Sequence, residues 1–333
     1  MHPAHTSPIL ILHERTDMVQ ILHGLEGFFE ILFLIATGYV LQKRHWFPPG
    51  SSALLTKLVM KLSLPLYMVA SLLRSFDHDL LLSILPDLRL PFASIFLAFL
   101  AGCAAARLLS IPEKRKGIFI TTCFIANTVF IGLPVNQALF GTESLPPVML
   151  YYMANTAAFW TLGIFLITKS AGPGKVPFLS IETVKKILTP PLLGFLTGIA
   201  LLLLGLSLPD FLLTSFQYIG NLTTPLSLMV IGMEIAGIPL SSISWNRDLW
   251  GAAAGRFLLC PACVLLLLPV IPVASLSAQV FTMQAAMPAM TQMTLAAKTA
   301  GGDGQYAAEI SLVTILLGLI VIPLAMLMVT LYE

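Results

Sequence analysis

The sequence predicts an all-α polytopic membrane protein with ten transmembrane helices in two inverted five-helix repeats. Composition is the first reason. Of 333 residues 57% are hydrophobic, and mean hydropathy is +0.90. The 18 basic and 16 acidic residues compare with about 80 charged residues on a soluble chain of this size. The second reason is an odd number of spans in each half, with lysine and arginine concentrated on one side. The third is that two of the spans are interrupted at membrane depth. A cytoplasmic enzyme is excluded. The net charge of +2 with scattered basic residues argues against nucleic acid as a partner, and four cysteines in an apolar chain argue against a disulfide scaffold.

At about 20 apolar residues per crossing, the spans fall at 25–42, 51–73, 90–108, 117–140, 146–168, 189–207, 211–235, 248–271, 277–299 and 305–331. Residues 1–24 read as an N-terminal tail without a cleavable signal, and Met18 is a second candidate start beside Met1. The first repeat is 25–168, the loop 169–188 is cytoplasmic, and the second repeat is 189–331. The odd-numbered connections contain twelve lysines and arginines; the tail and the even-numbered connections contain Arg15, Arg74 and Arg89. Positive charge stays in the cytoplasm. Both termini are therefore expected outside a cell (inner or plasma) membrane, and the two halves insert upside down relative to each other. Pro65 and Pro225, 160 residues apart, and Pro134 and Pro288, 154 apart, fall in corresponding spans.

The fourth span contains Asn127, Thr128, Gly132, Pro134, Asn136 and Gln137; the ninth contains Pro288, Thr291, Gln292 and Thr294. Proline removes a donor and crowds the preceding turn, so neither span is expected to run as a continuous helix. Half-helix N-termini present unpaired N–H groups and the positive end of a dipole, which suits an anion. Two such breaks at matching places are the strongest pointer to a midplane site.

The stretch Asn127-Thr128-Val129-Phe130-Ile131-Gly132-Leu133-Pro134, followed by Leu139-Phe140-Gly141, resembles the fourth-helix signature of the auxin efflux carrier family, which includes plant auxin carriers and bacterial malate or malonate permeases. Leu62-Ser63-Leu64-Pro65, Ala286-Met287-Pro288 with Ala297-Lys298, and Ile322-Pro323-Leu324 are similar as well. The resemblance implies crossing of the two broken helices, a scaffold part and a transport part, elevator-like movement, often a homodimer, and small organic anions as substrates. Residue by residue it places Asn127, Thr128, Gly132 and Pro134 on one side of the crossing, Pro288, Thr291 and Gln292 on the other, and Asn155 of the fifth span against substrate. Met293 stands where plant carriers have a second proline, which shifts the polar role to Thr291 or Gln292 and argues against auxin itself.

The remaining charges and motifs read as structural. Arg256 and Lys57 lie close enough to span ends to snorkel. Lys61 is deeper, and Glu234 is expected to pair with Lys57 or Lys61. Glu30, Glu234 and Glu309 sit near span ends, so no midplane acid serves a cation antiporter. Uniport, or a proton carried on the substrate, follows; a sodium site on carbonyls freed at the breaks stays open. Cys260-Pro261-Ala262-Cys263 lies in an apolar helix without a second pair, Gly301-Gly302-Asp303-Gly304 lacks the order of an aspartyl protease, and the tail histidines are irregularly spaced. Asn221-Leu222-Thr223 is a glycosylation sequon in form only, inside a span. No enzyme, cofactor or metal is expected. The alternative class is a polytopic receptor or channel-like protein without catalytic activity, although 333 residues leave little room for a signalling domain.

Overall fold

A computed structural model of the chain describes residues 26, 29–75, 78–172, 188–237, 239, 241 and 243–330. The expected tail and the stretch 173–187 of the expected loop, with Lys175, Lys185 and Lys186, lie outside the described residues. Six described stretches are long and apolar enough to cross a bilayer: Ser51–Arg74, Leu82–Leu108, Gly132–Ala171, Asp210–Gly237, Arg247–Leu267 and Gly304–Val329. Pro190–Leu203 is a shorter apolar helix. The chain is a polytopic helical membrane protein.

In order, the helices are α1 (29–43), α2 (Ser51–Leu58), α3 (Leu64–Ser75), α4 (His78–Ile84), α5 (Arg89–Leu108), α6 (Glu113–Phe124), α7 (Gly132–Phe140), α8 (Leu145–Ala158) and α9 (Ile164–Ala171). There follow α10 (Pro190–Leu203), α11 (Asp210–Gly220), α12 (Thr223–Gly237), α13 (Arg247–Ala254), α14 (Cys260–Leu267), α15 (Ser275–Ala285), α16 (Gln292–Thr299) and α17 (Gly304–Thr330). Helix α9 carries the fifth expected span three residues past its predicted end, to Ala171. Wide turns join α2 to α3 (Val59–Ser63), α8 to α9 (Phe159–Gly163) and α13 to α14 (Gly255–Leu259).

Proline chemistry explains where several helices yield. A proline cannot donate to the carbonyl four residues back, and its ring crowds that carbonyl. Pro65 withdraws the bond to Lys61, the middle of the turn Val59–Ser63, and Pro261 does the same to Phe257, the middle of Gly255–Leu259. Pro225 acts on Asn221, where α11 stops before α12 begins. The groups released there are satisfied inside the protein, as a membrane demands. Ser63 Oγ donates to the Ile219 carbonyl at 2.7 Å and lies 2.8 Å from Thr223 Oγ1, again 160 positions along the chain.

Contacts sort the helices into two groups. Helix α3 packs on α10 and α11, and α2 on α12. Helix α1 crosses α12 so closely that a Cβ at Gly38 would stand 2.1 Å from the Met229 carbonyl oxygen, and one at Gly232 would stand 2.0 Å from that of Ile35. In the second group α6 packs on α5, α9 and α13, α8 on α5 and α15, and α17 on α13 and α16. Few hydrogen bonds join the groups. Gln137 Nε2 donates to Tyr67 Oη, Thr224 Oγ1 donates to Gln137 Oε1 at 3.3 Å, and Tyr152 Oη meets Thr189 Oγ1 at 2.8 Å.

Pro134 and Pro288 take different local positions in the two interrupted stretches. Pro134 is the third residue of α7, where a missing N–H is tolerated, whereas Pro288 lies inside the second interruption. Gly132 and Gln292, the first residues of α7 and α16, are 160 positions apart.

Candidate functional site

Between α6 and α7 the chain is extended at Ile125–Asn127 and turns over Thr128–Ile131; between α15 and α16 it is irregular from Ala286 to Thr291. The two interruptions meet. Ala126 and Ala289 form an antiparallel bridge, and Asn127 N donates to the Pro288 carbonyl at 2.8 Å. Pro288 supplies an acceptor and needs no donor of its own.

Extended backbone at this depth leaves groups that water cannot satisfy, and two neighbouring helices supply partners. Asn155 of α8 takes Ala126 by both backbone groups: its Oδ1 accepts from Ala126 N at 2.9 Å and its Nδ2 donates to Ala126 O at 3.1 Å. Thr314 of α17 accepts from Ala289 N at 3.1 Å. Asn155 is fully buried and its polar atoms are occupied, so it supports the crossing chain and does not line the cavity.

The cavity beside the crossing is narrow and holds about 20 Å³. From the second group its walls include Asn127, Thr128, Tyr152, Thr156, Thr291 and Gln292; Met60 and Thr189 close it from the first group. No acidic side chain is on the wall. Asn127 Oδ1 accepts from Phe130 N at 3.2 Å, which fixes the orientation of the amide. Its Nδ2 is buried without a partner. Of the eight residues expected in the site, Asn127, Thr128, Thr291 and Gln292 share this wall, while Gly132, Pro134, Asn155 and Pro288 do not. A Cβ at Gly132 would come 2.2 Å from Gln284 Oε1, so the amide of Gln284 would have to move aside. Gln284 Nε2 donates to Thr128 O at 3.3 Å.

Sequence reasoning missed Thr156, Tyr152 and Trp160, which one face of a helix brings to the same wall at i, i+4 and i+8 spacing from Tyr152. It also misread Arg256. The side chain does not snorkel: it is fully buried, Nη1 donates to the Thr122 carbonyl at 3.3 Å and Nη2 to the Ala285 carbonyl at 2.5 Å. Free carbonyl acceptors at the ends of α6 and α15 draw the chain inward. Glu234 forms no ion pair with Lys57 or Lys61 among the described residues, because both lysines point outward from the bundle. It lines a second cleft of about 370 Å³ with Thr294, Lys298 and Ser311, and Thr291 is common to both cavities. Cys260 and Cys263 are buried free thiols.

At the Glu113 end of the second group, Arg115 reaches Asp303 at 3.0 Å and Asp248 at 3.3 Å and lies over the Tyr306 ring. This ties α6, α13 and the start of α17 together. The pairs are partly exposed and contribute about 0–1 kcal/mol each.

Residues 23–326 match the family model described as membrane transport protein. An uncharacterized transporter of Methanocaldococcus jannaschii is 25% identical over 280 residues, 80% of this chain and 85% of that protein. An uncharacterized transporter of Methanothermobacter thermautotrophicus is 26% identical over 214 residues, 63% of this chain and 67% of that one. With apolar spans, a paired helix interruption and a family match that covers nearly the whole sequence, the chain belongs to the membrane transport protein family of auxin efflux carrier type.

Proposed function

We propose that the protein is a secondary carrier for a small organic anion, a carboxylate or dicarboxylate that is malate-like, malonate-like or auxin-like. The observation that carries this reading is a buried, unpartnered donor on the cavity wall, Asn127 Nδ2. A buried donor without an acceptor costs about 1–3 kcal/mol, which a carboxylate oxygen recovers on binding. The starts of α7 and α16 add the positive ends of two helix dipoles, and no acidic wall residue opposes an anion.

In this reading the chain has ten spans, with α6–α7 and α15–α16 as the fourth and ninth, in repeats 25–168 and 189–331 joined by a cytoplasmic loop. Recurrent spacing supports the repeat: 160 positions separate Ser63 from Thr223 and Gly132 from Gln292, and 159 separate Asn155 from Thr314. A volume of about 20 Å³ is less than an organic acid needs, so Met60 and Thr189 must part from the crossing for substrate to enter. Movement of the second helix group against the first provides that opening and fits an elevator-type alternating access. Both termini lie outside a cell (inner or plasma) membrane, and a homodimer is the expected assembly.

The test is a thermal-shift screen of purified protein against organic acids, followed by uptake of the stabilising acid into proteoliposomes. A carrier saturates and shows counterflow; flux that rises linearly with concentration identifies a channel instead. If no organic acid raises Tm or is taken up, the anion reading fails. Impermeant labelling of single cysteines tests orientation, with labelling at position 10 from the cytoplasm and at 175 from outside as the opposing result.

A further inference from the structure

Among the described residues Arg256 is the charged side chain with no exposed surface at all. It stands nine residues from the start of α13, about 13 Å along the axis, near the middle of a hydrocarbon layer about 30 Å thick. Its two bonds go to equivalent places. Thr122 lies two residues before the end of α6, and Ala285 is the last residue of α15. One guanidinium therefore caps both half-helices that stop at the crossing.

The charges can be summed from helix dipoles. Each C-terminus carries roughly half a negative charge and each N-terminus roughly half a positive one. The ends of α6 and α15 and the starts of α7 and α16 cancel. Arg256 remains: it is not deprotonated in proteins, and no carboxylate lies within ion-pair distance among the described residues. The buried acids of the same helix group are held elsewhere: Asp87, just before α5, accepts from Ala274 N at 3.3 Å, and Glu309 accepts from Ser244 and Gln305 near the start of α17. Local net charge at the crossing is thus about +1.

We propose that Arg256 is the resident counter-charge of the transported anion, so that the crossing carries one net positive charge when empty and none when a monoanion is bound. This rests on the anion-carrier reading above. Arg256 does not touch substrate; it is a positioning residue that also sets which half of the cycle membrane voltage acts on. Loaded with a monoanion, the carrier moves without net charge, and the empty one moves a positive charge.

The experiment needs no organic acid. Protein with Cys103→Ala and Ala308→Cys, the latter on the wall of the larger cleft, is reconstituted and labelled with an impermeant maleimide under potassium diffusion potentials set by valinomycin. A single charge crossing about half of the field shifts a two-state ratio roughly tenfold per 120 mV. The parent and Arg256→Lys should show that shift in labelling rate; Arg256→Gln, which offers one amide donor and no charge, should be flat. Cys123→Asp places a carboxylate next to the turn that bears Arg256 and should be flat with the guanidinium intact. A flat parent, or an equal shift in Arg256→Gln or Cys123→Asp, overturns the proposal. If an organic acid stabilises the protein while the parent stays flat, the counter-charge fails and the carrier reading stands. If the shift is lost in Arg256→Gln and no acid binds, the charge assignment stands and the anion is wrong.

Discussion

Between Phe124 and Gly132 the chain crosses the bundle on Asn127 and Thr128, with both backbone groups of Ala126 held by Asn155; between Ala285 and Gln292 it crosses on Met287, Pro288 and Met290, with the Ala289 amide held by Thr314 alone. The first interruption brings its own polar side chains and a two-pronged support. The second brings sulfur, a proline carbonyl, one hydroxyl at Thr291 and the N-terminus of α16. The same backbone problem, a few residues without helical partners at membrane depth, is solved once by side chains and once largely by the other interruption. That difference predicts unequal sensitivity to mutation on the two sides.

The largest effect is expected at Asn155. Asn155→Ala leaves the N–H and the C=O of Ala126 buried and unpaired, a loss of about 2–5 kcal/mol in stability. Denaturation of the purified protein in detergent measures it. A loss no greater than that of Thr314→Val would remove the asymmetry between the two supports.

Asn127 separates binding from folding. Asn127→Asp keeps the oxygen that caps Phe130 N and replaces the free donor by a negative oxygen. Affinity for the carboxylate found in the screen should fall by tenfold to a hundredfold or more, about 1.5–3 kcal/mol, with Tm almost unchanged. Calorimetry checks the affinity; equal binding by Asn127→Asp and the parent would take the first interruption out of the site.

Thr314→Val should be milder. It orphans one amide, that of Ala289, at about 1–2 kcal/mol, and valine fills the same space. Hydrogen exchange at Ala289 reports this directly, since the bond lost is the one that protects it. Undiminished protection would mean that the second interruption is held by its bridge to Ala126 and needs no outside support.

The crossing was legible in the sequence at the level of position, and much less so at the level of role. Asn127, Gly132, Pro134 and Pro288 mark the interruptions because polar, small and cyclic residues at membrane depth have few other uses. Direction was hidden: Asn155 reads as a ligand until its two bonds to Ala126 are seen. Thr314 is one hydroxyl in a long apolar helix, where threonine usually bonds the preceding turn, as it also does here through Ile310 O. Arg256 was placed at the membrane edge by depth along its helix, but partners on α6 and α15, more than a hundred and about thirty residues away in the chain, decide where it points. Side-chain direction depends on tertiary neighbours that a span count does not contain.

The smallest effect is expected on the second side of the cavity. Gln292 is the first residue of α16, its side chain is half-buried on the wall, and its backbone belongs to the N-terminus that faces the site. Gln292→Ala removes the amide but leaves the N–H groups and the dipole, which at a helix end are worth about 0.3–1 kcal/mol for an anion. Affinity should therefore change by less than about fivefold, well short of the loss in Asn127→Asp. The two variants measured side by side by calorimetry test the comparison: a Gln292→Ala loss larger than that of Asn127→Asp would show that the second interruption holds the anion by its side chain, and the division of labour between the two crossings would have to be reversed.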